Sequence, residues 1–245
     1  MTRVAISIPA YNDALTLEAL VRDSLAVLGR ITEDHQVFII NDGSKDQTSE
    51  VLHKVIRQYP KVQIIEHPAN YGFGRTIREV YTLPESDWIF FIPGDGQISP
   101  SEILKLYPHK DPYAFILGHR KNRSDPFTRR LNSWCYNMTI SLLAGRRIRD
   151  VNSVGLIKRE ALNGIALKSD SAFIHAEILL EILRKKFPVA EIEITHQPRR
   201  HGKGSGNRWS VIFPTILDML QYSLNRFFWL IFRKCHDSGR PAQQW

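Results

Sequence analysis

The 245-residue sequence predicts an α/β protein built on a mostly parallel central sheet. Two observations carry that reading. Over the first hundred residues, short apolar runs alternate with stretches whose apolar residues recur at helical spacing, the pattern of βαβ units with right-handed crossovers. Polar motifs then follow the first, second and fourth apolar runs, at the sheet edge where such folds bind ligands.

Each element has its own signal. Val4–Ile8 reads as a buried strand, and Leu17, Leu20, Val21, Leu25 and Leu28 mark the helix after it. Val37–Ile40 is a second strand, closed by the turn Asn41-Asp42-Gly43-Ser44. Val51, Leu52, Val55, Ile56 and Tyr59 mark a second helix, stopped by Pro60. Val62–Ile65 and Trp88–Ile92 are further strands, with Ile77, Val80 and Tyr81 on a helix between them. The last of these strands runs into Pro93-Gly94-Asp95-Gly96-Gln97.

The second half is less regular. Ala114–Leu117 and Val189–Thr195 read as strands. Leu131, Trp134, Cys135, Met138 and Leu142 form one apolar helical stripe, and Phe173, Ile174, Ile178, Leu179, Ile182 and Leu183 form another. The segment Val211–Phe232 is apolar but interrupted by Asp218, Gln221, Asn225 and Arg226. A membrane-spanning helix needs ~20 mostly apolar residues. An interfacial or docked amphipathic helix fits this segment better. The expected division is a core domain over residues 1–208, with halves meeting near residue 100, and an amphipathic helical tail over 209–245.

Composition narrows the function classes. Two distant cysteines, Cys135 and Cys235, make a disulfide framework or a zinc site unexpected and favour a reducing compartment. The chain opens directly on a strand pattern with no charged leader, so no signal peptide is expected. The net charge of +8 is concentrated in Arg120–Arg130, Arg146–Arg149 and Arg199–Arg208. Such clustering reads either as a solubilising surface or as a site for an anionic partner: a nucleotide, a lipid phosphate or a membrane. Nucleic acid is not expected, because the basic stretches lack a recognisable module and aromatic interleaving.

Four motifs stand together in the first hundred residues: Ile8-Pro9-Ala10-Tyr11-Asn12, Asn41-Asp42-Gly43-Ser44-x-Asp46-x-Thr48, Asn70-Tyr71-Gly72-x-Gly74 and Gly94-Asp95-Gly96-Gln97. In this order the set resembles the family 2 glycosyltransferases, whose A-type glycosyltransferase fold is Rossmann-like. Later pieces are similar to the polyprenyl-phosphate sugar transferases of that family: Gly118-x-Arg120, Arg130-x-x-Ser133, Asp150-Val151-Asn152 with Gly155, and Arg199-x-x-Gly202-Lys203.

The resemblance implies a metal-dependent, inverting transfer of a hexosyl or N-acetylhexosaminyl group from a UDP- or GDP-sugar. The implied acceptor is polyprenyl phosphate at the cytoplasmic membrane face; the alternatives are a glycan hydroxyl, or nucleotide-sugar binding without turnover. Pro9 and Tyr11 would flank the nucleotide base, and Asp42 would accept from a base N–H. Read on their own residues, Asn12 or Asp13 could equally cap the first helix, Asp42 could be a turn residue, and Asp46 and Thr48 suit a cap on the second helix.

Asp95 and Gln97 supply oxygen ligands from alternate positions, suited to Mg²⁺ or Mn²⁺ on a diphosphate leaving group. The family pattern here is usually Asp-x-Asp; Pro93 stands where the first Asp would be, and Asp95 aligns with the second. Arg120, Arg130 and Ser133 match acceptor-phosphate positions, where the planar guanidinium fork suits phosphate; the alternative is a solvated charged loop. Arg199 and Lys203, in a glycine-rich stretch, match a loop closing on diphosphate, or else belong to a flexible linker. Asp150 is either a general base or a turn residue, and His175 and Glu177 lie where other family members place a catalytic acid. A phosphate acceptor needs no base, since it is already ionised; a hydroxyl acceptor does. The charge and the run Phe227-Phe228-Trp229-Leu230-Ile231-Phe232 further suggest a peripheral membrane surface, with packing onto the domain or onto a second copy, a homo-oligomer, as the alternative.

Overall fold

In the computed structural model, described over residues 2–121, 127–197 and 209–237, the chain alternates strand and helix as expected. The order is β1 (Val4–Ala10), α1 (Ala14–Leu28), β2 (His35–Asn41), α2 (Thr48–Gln58), β3 (Val62–Glu66), α3 (Phe73–Thr82) and β4 (Trp88–Phe91). It continues with α4 (Ile103–Leu106), β5 (Phe115–Arg120), α5 (Phe127–Ala144), β6 (Gly155–Lys158), α6 (Arg159–Leu162), α7 (Ile174–Arg184), β7 (Val189–Ile194) and α8 (Trp209–Asp237).

The described strands form one mixed sheet in the order β3-β2-β1-β4-β6-β5-β7. From β1 through β2 to β3 the chain steps one way, and α3 then carries it back to β4 on the other side of β1. With right-handed crossovers, α3 must lie on the face opposite α1 and α2. The reversal opens a crevice between the carboxyl ends of β1 and β4, the usual ligand position in an open α/β sheet. The central strands are buried along nearly their whole length, which is why they read as unbroken apolar runs rather than alternating ones.

Two details differ from the sequence reading. The first strand, read as Val4–Ile8, runs on through Pro9: β1 stays in parallel register with β2 through Pro9↔Ile40 and Ala10↔Asn41. The Pro9 carbonyl accepts from Gly94 N at 3.2 Å on the side where the pairing with β4 has ended at Ser7↔Phe91. A strand residue points its N–H and C=O the same way, so the missing N–H of Pro9 falls where no ladder partner is due. The second difference is β6, which the sequence reading left without a strand. It enters antiparallel between β4 and β5, with Phe91↔Gly155 and Leu117↔Gly155 in register. At four residues it is too short to show a period.

The tail helix is partly docked. Tyr222 donates from its hydroxyl to Glu181 Oε1 at 2.9 Å, its ring packs on Phe173, and Ser169 Oγ donates to Asp218 Oδ2 at 2.6 Å. Its other side presents Trp209, Phe213, Leu217, Leu220 and Leu224 to solvent. The aromatic run from Phe227 to Phe232 continues the helical backbone, but its side chains lie outside the described residues.

Candidate active site

The sheet edge is assembled by polar side chains that bind one loop to the next. After β1, Asn12 takes a left-handed backbone (φ 58°), its N–H donates to Ser44 Oγ at 2.9 Å, and its Oδ1 accepts from Lys45 N at 2.8 Å. Asp13 N donates to Thr48 Oγ1 at 3.0 Å, while Asp46 accepts from Ala14 N at 3.3 Å and from Thr48 N at 3.0 Å. The residues weighed as separate helix caps therefore act across two loops at once. Asp13 makes no side-chain cap to α1; its carboxylate accepts from Tyr11 N at 3.0 Å.

Gly43 shows why the second motif carries a glycine. Its φ is +64°, and a Cβ there would stand 2.3 Å from the carbonyl carbon of Ala69. The loop after β3 can fold down on this turn only because nothing projects from it. The space left beside these loops is a cleft of about 680 Å³ walled by Tyr11, Asn41, Lys45, Glu66, His67 and Asn70. Tyr11 is 43% exposed at its mouth.

Asp42, buried to 4%, lies behind that wall. Its Oδ1 accepts from His67 Nδ1 at 2.8 Å and from Tyr71 N at 2.8 Å, and its Oδ2 accepts from Gly72 N at 3.1 Å. The carboxylate thus holds the loop that closes the cleft. His67 was not singled out in the sequence. Its second nitrogen, Nε2, is paired with Glu79 Oε2 at 2.6 Å, and Arg75 donates to Glu79 Oε1 at 3.0 Å while lying over the Tyr71 ring. The one available signal was position: His67 is the first residue past β3, at the edge where the other motifs gather.

The Gly94–Gln97 turn is fixed against β1. Gly94 N donates to Pro9 O, Thr16 Oγ1 donates to Gly94 O at 2.6 Å, and a Cβ on Gly94 would lie 2.8 Å from Asp13 Oδ2. Asp95 Oδ1 accepts from Gln97 N at 3.0 Å across Gly96, whose φ of +71° suits glycine. Gln97 is also joined to the end of β7: its carbonyl accepts from Gln197 N at 2.9 Å, and its Nε2 donates to Gln197 O at 3.3 Å. Arg199 and Lys203 follow this contact in sequence and lie outside the described residues.

Among the described residues no three His, Cys, Asp or Glu side chains converge as a preformed metal cage. The donors at this turn, the Asp95 carboxylate and the Gln97 amide oxygen, are all oxygen. That chemistry fits a hard divalent cation, which is commonly held by one or two carboxylates together with substrate phosphates.

A second cleft, of about 490 Å³, lies between α5 and the ends of β5 and the 149–152 segment. It collects Arg120, Arg130 and Ser133, read together from the sequence as an acceptor-phosphate set, with Asp150, which was read apart from them; Trp134 and Arg149 are also in the wall. Arg120 grips Asp150 with two parallel bonds, Nε to Oδ2 at 2.7 Å and Nη2 to Oδ1 at 2.8 Å, and Nη2 also donates to Asn152 O at 2.9 Å. Both side chains are largely buried. Asp150 is therefore bound as a fork-to-fork partner of Arg120. Asn137, which the sequence reading passed over, anchors α5 here: Nδ2 donates to Arg149 O at 2.9 Å and Oδ1 accepts from Val151 N at 3.1 Å. The spacing of 130, 133 and 137 on one helical face was a usable signal.

The two residues considered as acids are placed elsewhere. Glu177 caps a loop, accepting from Lys168 N at 3.0 Å and Ser169 N at 2.9 Å, and burial pushes its carboxyl above the usual range. His175 sits among the rings of Phe73, Tyr81 and Phe91. Burial, aided by the charge of Arg120 and opposed by that of Asp150, brings its pKa down to about 4.

This is the fold of an A-type glycosyltransferase. The chain belongs to glycosyl transferase family 2, whose profile matches residues 5–164, more than half of its length. Among curated proteins it is 26% identical over 203 residues to the undecaprenyl-phosphate 4-deoxy-4-formamido-L-arabinose transferase of Photorhabdus laumondii, covering 82% of this chain and 62% of the relative. The namesake protein of Pectobacterium atrosepticum is also 26% identical, over 202 residues. The chain thus spans about six-tenths of the length of these relatives. Among solved structures it is similar to glucosyl-3-phosphoglycerate synthase from Mycobacterium tuberculosis. The complex of that enzyme with Mn²⁺, UDP and phosphoglyceric acid gives a TM-score of 0.65 at 12% identity, covering 82% of this chain and 72% of the other. The complex with Mg²⁺ and UDP gives 0.63 at 14% identity, covering 82% and 73%.

Proposed function

We propose that this chain is an inverting glycosyltransferase that moves a hexosyl or N-acetylhexosaminyl group from a UDP- or GDP-sugar to a polyprenyl phosphate. The observation that carries the acceptor is the second cleft. Arg120, Arg130 and Ser133 meet there beside Trp134, which belongs to an outward apolar stripe on α5. A lipid phosphate needs both features at one place: cationic forks for its head and apolar surface for its chain. The names of the curated relatives support the same acceptor class.

In this reading Pro9, Tyr11 and Asp42 hold the nucleotide, with Tyr11 against the base. Asp95 and Gln97 would hold Mg²⁺ or Mn²⁺ beside the donor diphosphate, and the cation would supply charge neutralisation for the leaving group. Arg199 and Lys203 are the further basic groups assigned to the same diphosphate. The acceptor phosphate oxygen attacks the sugar C1 from the side opposite the departing nucleoside diphosphate; one C–O bond forms as the other breaks, inverting the centre. The oxygen is already ionised, so no base is needed, and Asp150 serves by aiming Arg120. The bidentate Arg120–Asp150 pair favours this role over proton abstraction from a glycan hydroxyl.

No described helix is long and apolar enough to cross a membrane. A peripheral position on the cytoplasmic face is supported by the exposed apolar residues of α5 and α8, alongside Arg146, Arg147 and Arg149. The deciding experiment supplies labelled nucleotide-sugars, Mg²⁺ or Mn²⁺ and a polyprenyl phosphate, followed by organic extraction. Label in the organic phase is the expected result. Label confined to an aqueous glycan would move the reading to a hydroxyl acceptor, and no product with any acceptor would leave a binding protein.

A further inference from the structure

We infer that Ser169 is a positioning residue for the donor site: together with Asp218 of the tail helix it clamps the 168–171 loop onto α3, so that docking of α8 sets one wall of the first cleft and strengthens donor binding. The inference rests on the nucleotide-sugar reading above and deepens it.

The wall concerned is the loop after β3. His67, Pro68, Ala69 and Asn70 line the first cleft, and the chain then passes through Tyr71 and Gly72 directly into α3. One side of this loop is tied down by Asp42, which accepts from Tyr71 N and Gly72 N. The other side is set by where the first turn of α3 sits. Gly74 shows what that turn sits on: a Cβ there would run into the backbone of Asp170. The last glycine of Asn70-Tyr71-Gly72-x-Gly74 thus lets the 168–171 loop press directly on the α3 backbone, a close approach that a side chain would prevent.

Ser169 holds that loop in place, and its polar groups go to different elements. Its N–H donates to Glu177 Oε2 on α7 at 2.9 Å, and its carbonyl accepts from Arg78 Nη2 on α3 at 3.1 Å. Its hydroxyl donates to Asp218 Oδ2 on α8 at 2.6 Å and accepts from Ser171 N at 3.2 Å. Arg78 also pairs with Asp170, which fastens α3 to the same loop a second time. Ser169 is only 6% exposed, so these bonds are made away from water, where an unmade one is costly.

Asp218 is the only charged residue between Trp209 and Asn225, and it lies on this contact. A hydroxyl has one proton to give. While Asp218 takes it, the loop is fixed between α3 and α8. Without Asp218 the proton can turn to Ser171 Oγ, 3.3 Å away in the same loop, a bond that holds nothing to the tail. The seat of α3, and with it the 67–72 wall, then loses its tie to α8. If docked α8 favours the donor-bound form, bound donor must favour docked α8 by the same factor.

The test uses the full chain with Mg²⁺ and UDP or GDP, whichever binds more tightly. Asp218→Ala is expected to weaken that nucleotide by about fivefold in calorimetric titration, part of the loss of one charged hydrogen bond. Asp218→Asn keeps an acceptor oxygen and should recover most of the affinity. A role confined to folding would lower thermal stability and leave the affinity of the folded protein unmoved. A change below about threefold in folded Asp218→Ala therefore overturns the inference, as does Asp218→Asn binding as weakly as Asp218→Ala. The reciprocal arm needs no variant and stands even if these do not fold. In the unaltered protein, saturating nucleotide should slow amide hydrogen exchange by at least about threefold in peptides covering 168–171 and 215–222, which line neither cleft. Unchanged exchange there, with slowing in the 67–74 segment, overturns the coupling and leaves the transferase reading intact. Failure of both nucleotides to bind overturns that reading and this inference together.

Discussion

The two halves of the molecule use their polar residues in opposite ways. In the first, from β1 to the Gly94–Gln97 turn, motif side chains are turned inward on each other: Asn12 to Lys45, Asp13 to Tyr11, Asp46 to Ala14, Asp42 to the loop at 67–72. In the second, the same sheet edge keeps one tight polar unit, Arg120 with Asp150. It leaves Leu131, Trp134, Met138 and Leu142 of α5 facing out. The proposed function calls for this contrast: a small polar donor would be met by backbone groups and fixed polar side chains, whereas a long apolar acceptor would require surface that stays uncovered, at the expense of exposing large hydrophobic side chains.

The comparison can be broken most decisively at Asp95. If the first half is organised around a diphosphate, Asp95→Ala should lower transfer by at least ~10²-fold, with little change in thermal unfolding because the residue lies on a turn. Near-normal turnover with Mg²⁺ or Mn²⁺ supplied would reduce Gly94–Gln97 to a structural corner.

The polar unit of the second half is tested by removing one member. Arg120→Ala leaves Asp150 buried without its bidentate partner and should destabilise by roughly 3–5 kcal/mol in denaturant unfolding. Removing both partners should recover part of that loss, since the stranded charge goes too. Equal losses in the single and double variants would mean that Arg120 matters for packing rather than for its charge.

His175 joins the halves, packing on Phe73 and Phe91 while sensing Arg120 and Asp150. Its folded pKa of about 4 lies below its ordinary value of 6.5. The unfolded chain therefore takes up a proton that the folded chain refuses, and stability falls as pH drops from 6.5 toward 4; above 6.5 the residue contributes no pH dependence. The difference approaches about 3 kcal/mol at the acid end. His175→Phe should flatten this part of the stability–pH curve. An unchanged slope would place the acid sensitivity elsewhere.

The smallest effect on stability is expected at the exposed stripe. Trp134→Ser with Leu142→Gln should change folding stability by no more than about 0.5 kcal/mol, as for surface positions generally. The same pair should reduce co-sedimentation with anionic liposomes several-fold. Added salt should weaken binding of the unaltered protein, since exposed charges are screened beyond ~8–10 Å. If liposome binding is untouched and sedimentation shows a dimer dissociating instead, the stripe meets a second copy.

Legibility followed the same division. The βαβ half was readable because its central strands are buried on both faces and its helices on one, so hydrophobic period alone located them. Its motifs were also local: Asn41 to Thr48 and Gly94 to Gln97 each form their turn within a few residues. The second half gave its helices by period but hid β6, a four-residue strand whose partners are 64 to 70 positions upstream in β4 and 38 to 42 upstream in β5. Asn137 and His67 were passed over for a related reason. Each has an ordinary sequence neighbourhood, and each acquires a role from residues brought to it by folding.

The sequence by itself determined the α/β class, the placing of the first-half motifs at strand ends, and the basic and apolar character of the second half. These depend on periodicity and on turn chemistry, which act within a few residues of the chain. Only the tertiary structure decided that Arg120, Arg130, Ser133 and Asp150 share one cleft, that Asp150 is bound to Arg120, and that Asp42 is tied to His67. Those facts concern which hydrogen-bonding groups find each other across 25 to 30 residues. Pairing of that kind follows from the crossing of strands and helices in space, on which local spacing is silent.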